Sequence, residues 1–139
     1  MKNDLITVME LDRRGIEKEM ARMKVHPLGI RIMSPKAVFR TVKIKDMPVV
    51  SANIIKQDIL SFGGEAATSM GTINHSVKRT DVIIFATEEQ LSMLTSKLRL
   101  QYFGLKQLAE DIEEALRNFD PHPSAMKIGW FAVPWPRIL

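Results

Sequence analysis

The stretch DVIIFAT, Asp81 to Thr87, sets the tightest limit on what this chain can fold into. Val82, Ile83, Ile84 and Phe85 are four consecutive apolar residues rich in β-formers. Such a run reads as a strand buried on both faces or central in its sheet. The next residues, Thr87-Glu88-Glu89-Gln90, have the Thr-x-x-Gln form of a capping box, and Leu91, Leu94 and Leu98 follow at helical spacing. A strand feeding directly into a capped, one-sided helix calls for helices layered on a sheet.

The rest of the chain repeats this alternation. Leu5 to Leu11, LITVMEL, is rich in β-formers and reads as a first strand. Asp12 can cap a helix in which Ile16, Met20 and Met23 form the stripe, and KVHPLGIRIMSPKA, with two prolines and Gly29, reads as a connector with turn chemistry. In AVFRTVKIKDM, Val38, Val42 and Ile44 fall on one face and Thr41, Lys43 and Lys45 on the other, a strand covered on one side, with Arg40 interrupting the apolar face.

A helix follows with Ala52, Ile55, Ile59 and Phe62 inward, and its start near Ser51 offers free backbone N–H groups to an anion. Gly63-Gly64 stops it, because glycine accepts the left-handed backbone that ends a helix. EAATSMG suits a short strand, TINHSVKRT a turn, and a last helix from about Gly104 turns Leu105, Leu108, Ile112, Leu116 and Phe119 inward with Glu110, Asp111, Glu113 and Glu114 in water. FDPHPSA breaks that helix, and MKIGWFAVPW is a final extended segment limited by proline.

These elements predict a two-layer α/β sandwich, a mixed sheet with helices packed against it. The β-α-β-β-α order from Ala37 to Gln101 suits a ferredoxin-like half. Residues 1–120 form the expected single domain, and 121–139 a linker and extended tail.

With 139 residues, 45% hydrophobic and 26% charged, one core is expected and needs neither metal nor disulfide to be viable. The absence of cysteine excludes redox motifs, thiol nucleophiles and cysteine-based zinc sites. LITVMEL is too short for a secretory signal and no later stretch can span a bilayer, so a cytoplasmic chain without membrane contact is expected. The net charge of +4 is spread along the sequence beside many carboxylates, which favours a solvated surface over nucleic-acid binding.

His26, His75 and His122 stand in three separate loops without the partners of a metal-binding pair, so no metal is expected. There is no Gly-x-Ser-x-Gly elbow, and Gly63-Gly64 lacks the lysine and hydroxyl of a phosphate loop, so neither a catalytic residue nor a cofactor is assigned. Asn53, Lys56 and Gln57 offer two amides and an ammonium within about one helical turn, a grip for an anionic or heteroaromatic ligand. The same three residues read more simply as the wet face of an amphipathic helix. Trp130 and Trp135, among apolar residues, suit packing or a partner surface.

ANIIKQDILSFGGEAA resembles part of the N-terminal extension on a long form of dihydropteroate synthase from some archaea and anaerobic bacteria. The resemblance continues through GIRIMSPKA, TDVIIFATEEQ and KLRLQYFGLKQLAEDIEEAL, and YFGLKQLAE is its most specific piece. In that family, dihydropteroate is made from p-aminobenzoate and a pterin pyrophosphate on a TIM barrel that lies after the extension. PWPRIL resembles the approach to the first barrel strand, while the family's Asn-x-Thr-Pro-Asp-Ser-Phe stretch is missing from this sequence. The resemblance implies a noncatalytic accessory or assembly domain of folate or pterin biosynthesis, partnered with such a barrel in cis or in trans or with itself. The alternative expectation is a small-ligand domain that takes a pterin or phosphate on Asn53, Lys56 and Gln57.

Overall fold

The computed structural model of the chain describes residues 5–101 and 104–119. Asp12 begins the first helix, α1 (Arg13–Arg22), accepting a hydrogen bond from the Gly15 N–H at 2.8 Å as an N-cap should. Ahead of it, residues 5–11 form no strand and stay exposed. The expected first strand is thereby corrected: β-propensity alone does not make a strand, and among the described residues no neighbour pairs with this one.

The expected connector is also corrected, because Pro27–Ala37 is a second helix, α2. Pro27 sits in its first turn, where a missing N–H costs nothing, and His26 Nδ1 caps it by accepting from the Leu28 N–H at 3.0 Å. Pro35 falls in the last turn, beyond which the chain enters β1 (Phe39–Pro48).

The central region keeps the predicted order. β1 is followed by α3 (Val49–Ser61), β2 (Glu65–Thr68), a 3-10 turn at Met70–Thr72, β3 (Arg79–Thr87), α4 (Glu88–Leu98) and α5 (Leu105–Asn118). α3 begins at Val49, two residues before the expected Ser51, which is buried. The sheet order is β1-β3-β2 and both pairings are antiparallel. β1 and β2 therefore run the same way on either side of β3, with α3 as their crossover, the split β-α-β unit of a ferredoxin-like half. The two-layer α/β class holds; the direction of neighbouring strands alternates throughout, where a mixed sheet is expected.

β3 is central, and its burial alternates. Val82, Ile84 and Ala86 face the helices, while Ile83 and Phe85 are half-buried on the opposite side. Val82, Ile84, Ala86, Ile44 and Ala66 from the sheet pack with Ile55, Ile59, Leu91, Leu94, Leu98, Leu105, Leu108 and Ile112 into one core. The register of β1 on β3 is continuous from Phe39↔Thr87 to Ile44↔Val82 and shifts before Met47↔Thr80. Asp46, in the left-handed region at φ 53°, sits at that bulge, where Arg79 Nε donates to its carboxylate at 2.9 Å.

The double glycine makes a corner. Gly63 has φ 90°, and a Cβ on Gly64 would lie 2.8 Å from Ile59 Cγ1 and 3.1 Å from the Phe85 carbonyl oxygen. One glycine is needed for the turn and the next for the close approach of helix to sheet. Thr87 and Gln90 form the predicted reciprocal capping box. The extended segment expected at 126–135, His122 and both tryptophans lie outside the described residues. Among the described residues no helix is long and apolar enough to cross a membrane.

Candidate functional site

On α3 the buried side is built by Val49, Ala52, Ile55 and Ile59. Asn53, Lys56 and Gln57 lie at i, i+3 and i+4, Gln57 turned furthest from the buried stripe, Asn53 beside it and Lys56 at its edge, so helical geometry brings the three together. Asn53 and Lys56 are half-buried and Gln57 is exposed. Among the described residues none of the three side chains has a hydrogen-bond or ion-pair partner. Their donors and acceptors are thus not used in holding this part of the fold together.

The neighbouring position carries a residue that the apolar pattern hides. Asp58 is 6% exposed; its carboxylate accepts from Gln101 Nε2 at 2.7 Å and pairs with Lys97 Nζ at 3.0 Å. Lys97 also stands 5.8 Å from the centre of the Phe62 ring. The cluster joins α3, α4 and the segment after α4, and satisfies a buried carboxylate as burial demands. Its sequence signal is slight: an acid between Ile55 and Ile59, at a position that a helical wheel puts at the edge of the apolar stripe. Asp111, expected in water, is likewise buried, and accepts from Gln107 Nε2 at 3.1 Å one turn earlier.

A second charged cluster explains the break in the strand pattern. Arg40 shares the helix-facing side of β1 with Val42 and Ile44, and its guanidinium pairs with Glu88 at 3.2 Å. The other Glu88 oxygen accepts from Arg13 of α1, and Arg40 lies 5.2 Å from the centre of the Phe119 ring. Burial, and then repulsion from Arg13, lowers the Arg40 pKa from its usual value. Glu88 already fills the space between the two guanidiniums, so this cluster ties α1 to β1 and α4.

On α5, Glu113 accepts from both terminal nitrogens of Arg99 and, at 2.8 Å, from Thr95 Oγ1. The Arg99 hydrogen bonds are the main cause of its lowered pKa, working against partial desolvation. Among the described residues no three His, Asp or Glu side chains converge as a metal site does. His75 is exposed in a turn at φ 60°.

On the sheet face away from the helices Thr41, Lys43, Glu65 and Ala67 are exposed and Ile83 and Phe85 are half-buried. Cross-strand rows Thr41, Phe85, Glu65 and Lys43, Ile83, Ala67 run across it, beside Phe39 at 57% exposure. An apolar centre with a polar rim is the usual anatomy of a docking face. A separate open cleft of about 370 Å³ lies between α1 and α2, lined by Glu17, Ala21, Pro27, Ile30 and Arg31.

No protein-family profile matches the chain, and no solved structure does. Two curated proteins are similar to it. The probable bifunctional folylpolyglutamate synthase/dihydropteroate synthase of Halobacterium salinarum is 34% identical over 97 residues, which is 70% of this chain and 12% of that protein. The bifunctional dihydropteroate synthase/dihydropteroate reductase of Helicobacter pylori is 32% identical over 121 residues, 87% of this chain and 31% of that protein. The chain therefore spans less than a third of the length of either relative.

Proposed function

We propose that this chain is a noncatalytic accessory module of a dihydropteroate synthase-type protein, working in the cytoplasm and docking on the synthase barrel. One observation carries the reading. The two relatives share dihydropteroate synthase and differ in their other named activity, and a region similar to this chain is present in both. A segment common to both goes with the activity common to both. The open sheet face around Ile83 and Phe85 is the surface we assign to the barrel, its apolar centre supplying contact area and Lys43 and Glu65 a polar rim. Supplying a dihydropteroate synthase barrel in trans tests this: saturable binding by calorimetry, weakened by Phe85→Asp, is expected. A barrel that neither binds the chain nor changes its rate in the chain's presence overturns the reading.

A second reading rests on the unengaged polar face of α3. Asn53, Lys56 and Gln57 present donors and acceptors that suit a pterin or a phosphate, and the reductase named for the H. pylori relative acts on a pteridine. Titrating the chain with dihydropteroate and with pyrophosphate separates the two readings. Saturable heat that disappears in Lys56→Ala supports a ligand site, and a flat titration removes it.

A further inference from the structure

We propose that Ile6–Leu11 of one copy adds as an edge strand to Phe39–Ile44 of a second copy, making an arm-exchanged dimer. Ile6, Thr7 and Val8 are β-branched, the chemistry of a strand, yet this arm lies in neither strand nor helix. Ile6 is 71%, Val8 95% and Met9 52% exposed, a run of apolar side chains that marks an interaction site and not a finished surface.

The seat is the outer edge of β1. β1 is hydrogen-bonded to β3 on one side, and among the described residues nothing pairs with its other edge. Such an edge carries a row of N–H and C=O groups ready for another strand. Its regular part, Phe39 to Ile44 before the bulge, is six residues, roughly 20 Å at the rise of a strand, and takes five of the arm's six, Thr7 to Leu11 against Arg40 to Ile44.

Arg13 is held by Glu88, which also holds Arg40 at 3.2 Å, so the arm starts beside the Arg40 end of β1. An antiparallel arm set with Met9 opposite Val42 puts Val8 opposite Lys43. Met9 then covers Val42, which is only half-buried, and Glu10 comes diagonally within reach of Lys43 on the other face. Within one copy residues 6–11 are exposed and are not a strand of the sheet that holds β1. Two copies related by a twofold axis make the same pairing twice, the low-cost route to a dimer. The synthase barrel does not compete for this edge, since a closed barrel has no open edge of its own.

The full chain contains no cysteine, which makes the test clean. Val8→Cys and Lys43→Cys chains, each carrying one thiol, are mixed and oxidised, and a disulfide joining the two different chains is expected. Light scattering of the unmodified chain is expected to give about twice 15.8 kDa. Val8→Pro, which removes a ladder donor from a segment outside the core, is expected to be monomeric with an unchanged circular dichroism spectrum. A monomer at all concentrations overturns the proposal. So does a disulfide that forms only within a Val8→Cys/Lys43→Cys double variant, because the arm then sits on its own β1.

Discussion

Glu113 owes its acidity to Arg99. Its two oxygens accept from that guanidinium and one also takes the Thr95 hydroxyl, so the charged form is favoured in the folded chain and its pKa falls below the ordinary 4.5. The linkage sign follows directly. A carboxylate whose folded pKa is depressed adds stability above its unfolded pKa, and that stability is lost as the pH drops through the folded value. The side chain is 30% exposed, so solvent screens the pair and the effect is modest. Glu113→Gln is expected to lower Tm by about 2 °C at pH 7, with the gap to the parent narrowing as the pH falls below the ordinary carboxylate range. A gap of the same size at every pH would mean that packing, not charge, holds this residue. Asp58 is a different kind of acid. Buried and bonded to Lys97 and Gln101, it locks α3 against α4, and no charge pattern in the sequence announces it.

At the scale of elements the helix-to-sheet corner is the tightest joint. Gly63 turns the chain at φ 90°, and Gly64 passes so close to Ile59 and to the Phe85 carbonyl that a methyl group has no room. Gly64→Ala is expected to cost about 2 kcal/mol through overpacking and Gly63→Ala about 1 kcal/mol through backbone strain. Urea unfolding of the two variants measures both, and a neutral Gly64→Ala would show that the corner can relax. Elements of this kind are written in local chemistry, and they were readable: the Thr87-Gln90 box, the Asp12 cap, the glycine corner and the alternation of β1 all depend on residues a few positions apart. The errors have a different origin. Residues 5–11 have the propensity of a strand, but a strand exists only beside another, and the partner is not a local property. Pro27 and Pro35 look like breaks, although a proline in the first turn is compatible with a helix, and Pro35 stands near the end of α2, where the helix stops two residues later. The polar grouping of Asn53, Lys56 and Gln57 was legible from spacing alone, whereas Asp58 and Glu113 needed partners 43 and 14 residues away.

For the whole molecule, the division at residue 120 can be put to the same standard. Among the described residues the core cluster runs from Ile44 to Ile112, with Leu116 packed against it. We expect residues 121–139 to behave as a separate tail, and the sequence supplies a probe for this. Both tryptophans, Trp130 and Trp135, fall in that tail, while the five described helices, which dominate the dichroism of the described residues, lie before it. In a two-state protein different probes change together. If the tail is independent, tryptophan emission of the intact chain changes little through the urea transition that dichroism follows, and a chain ended after Phe119 keeps the same midpoint and slope. Arg40 against Phe119 is then the last tertiary contact that the domain requires. Coincident fluorescence and dichroism transitions, together with a lowered midpoint in the shortened chain, would place the apolar segment MKIGWFAVPW inside the cooperative unit and move the domain boundary beyond it.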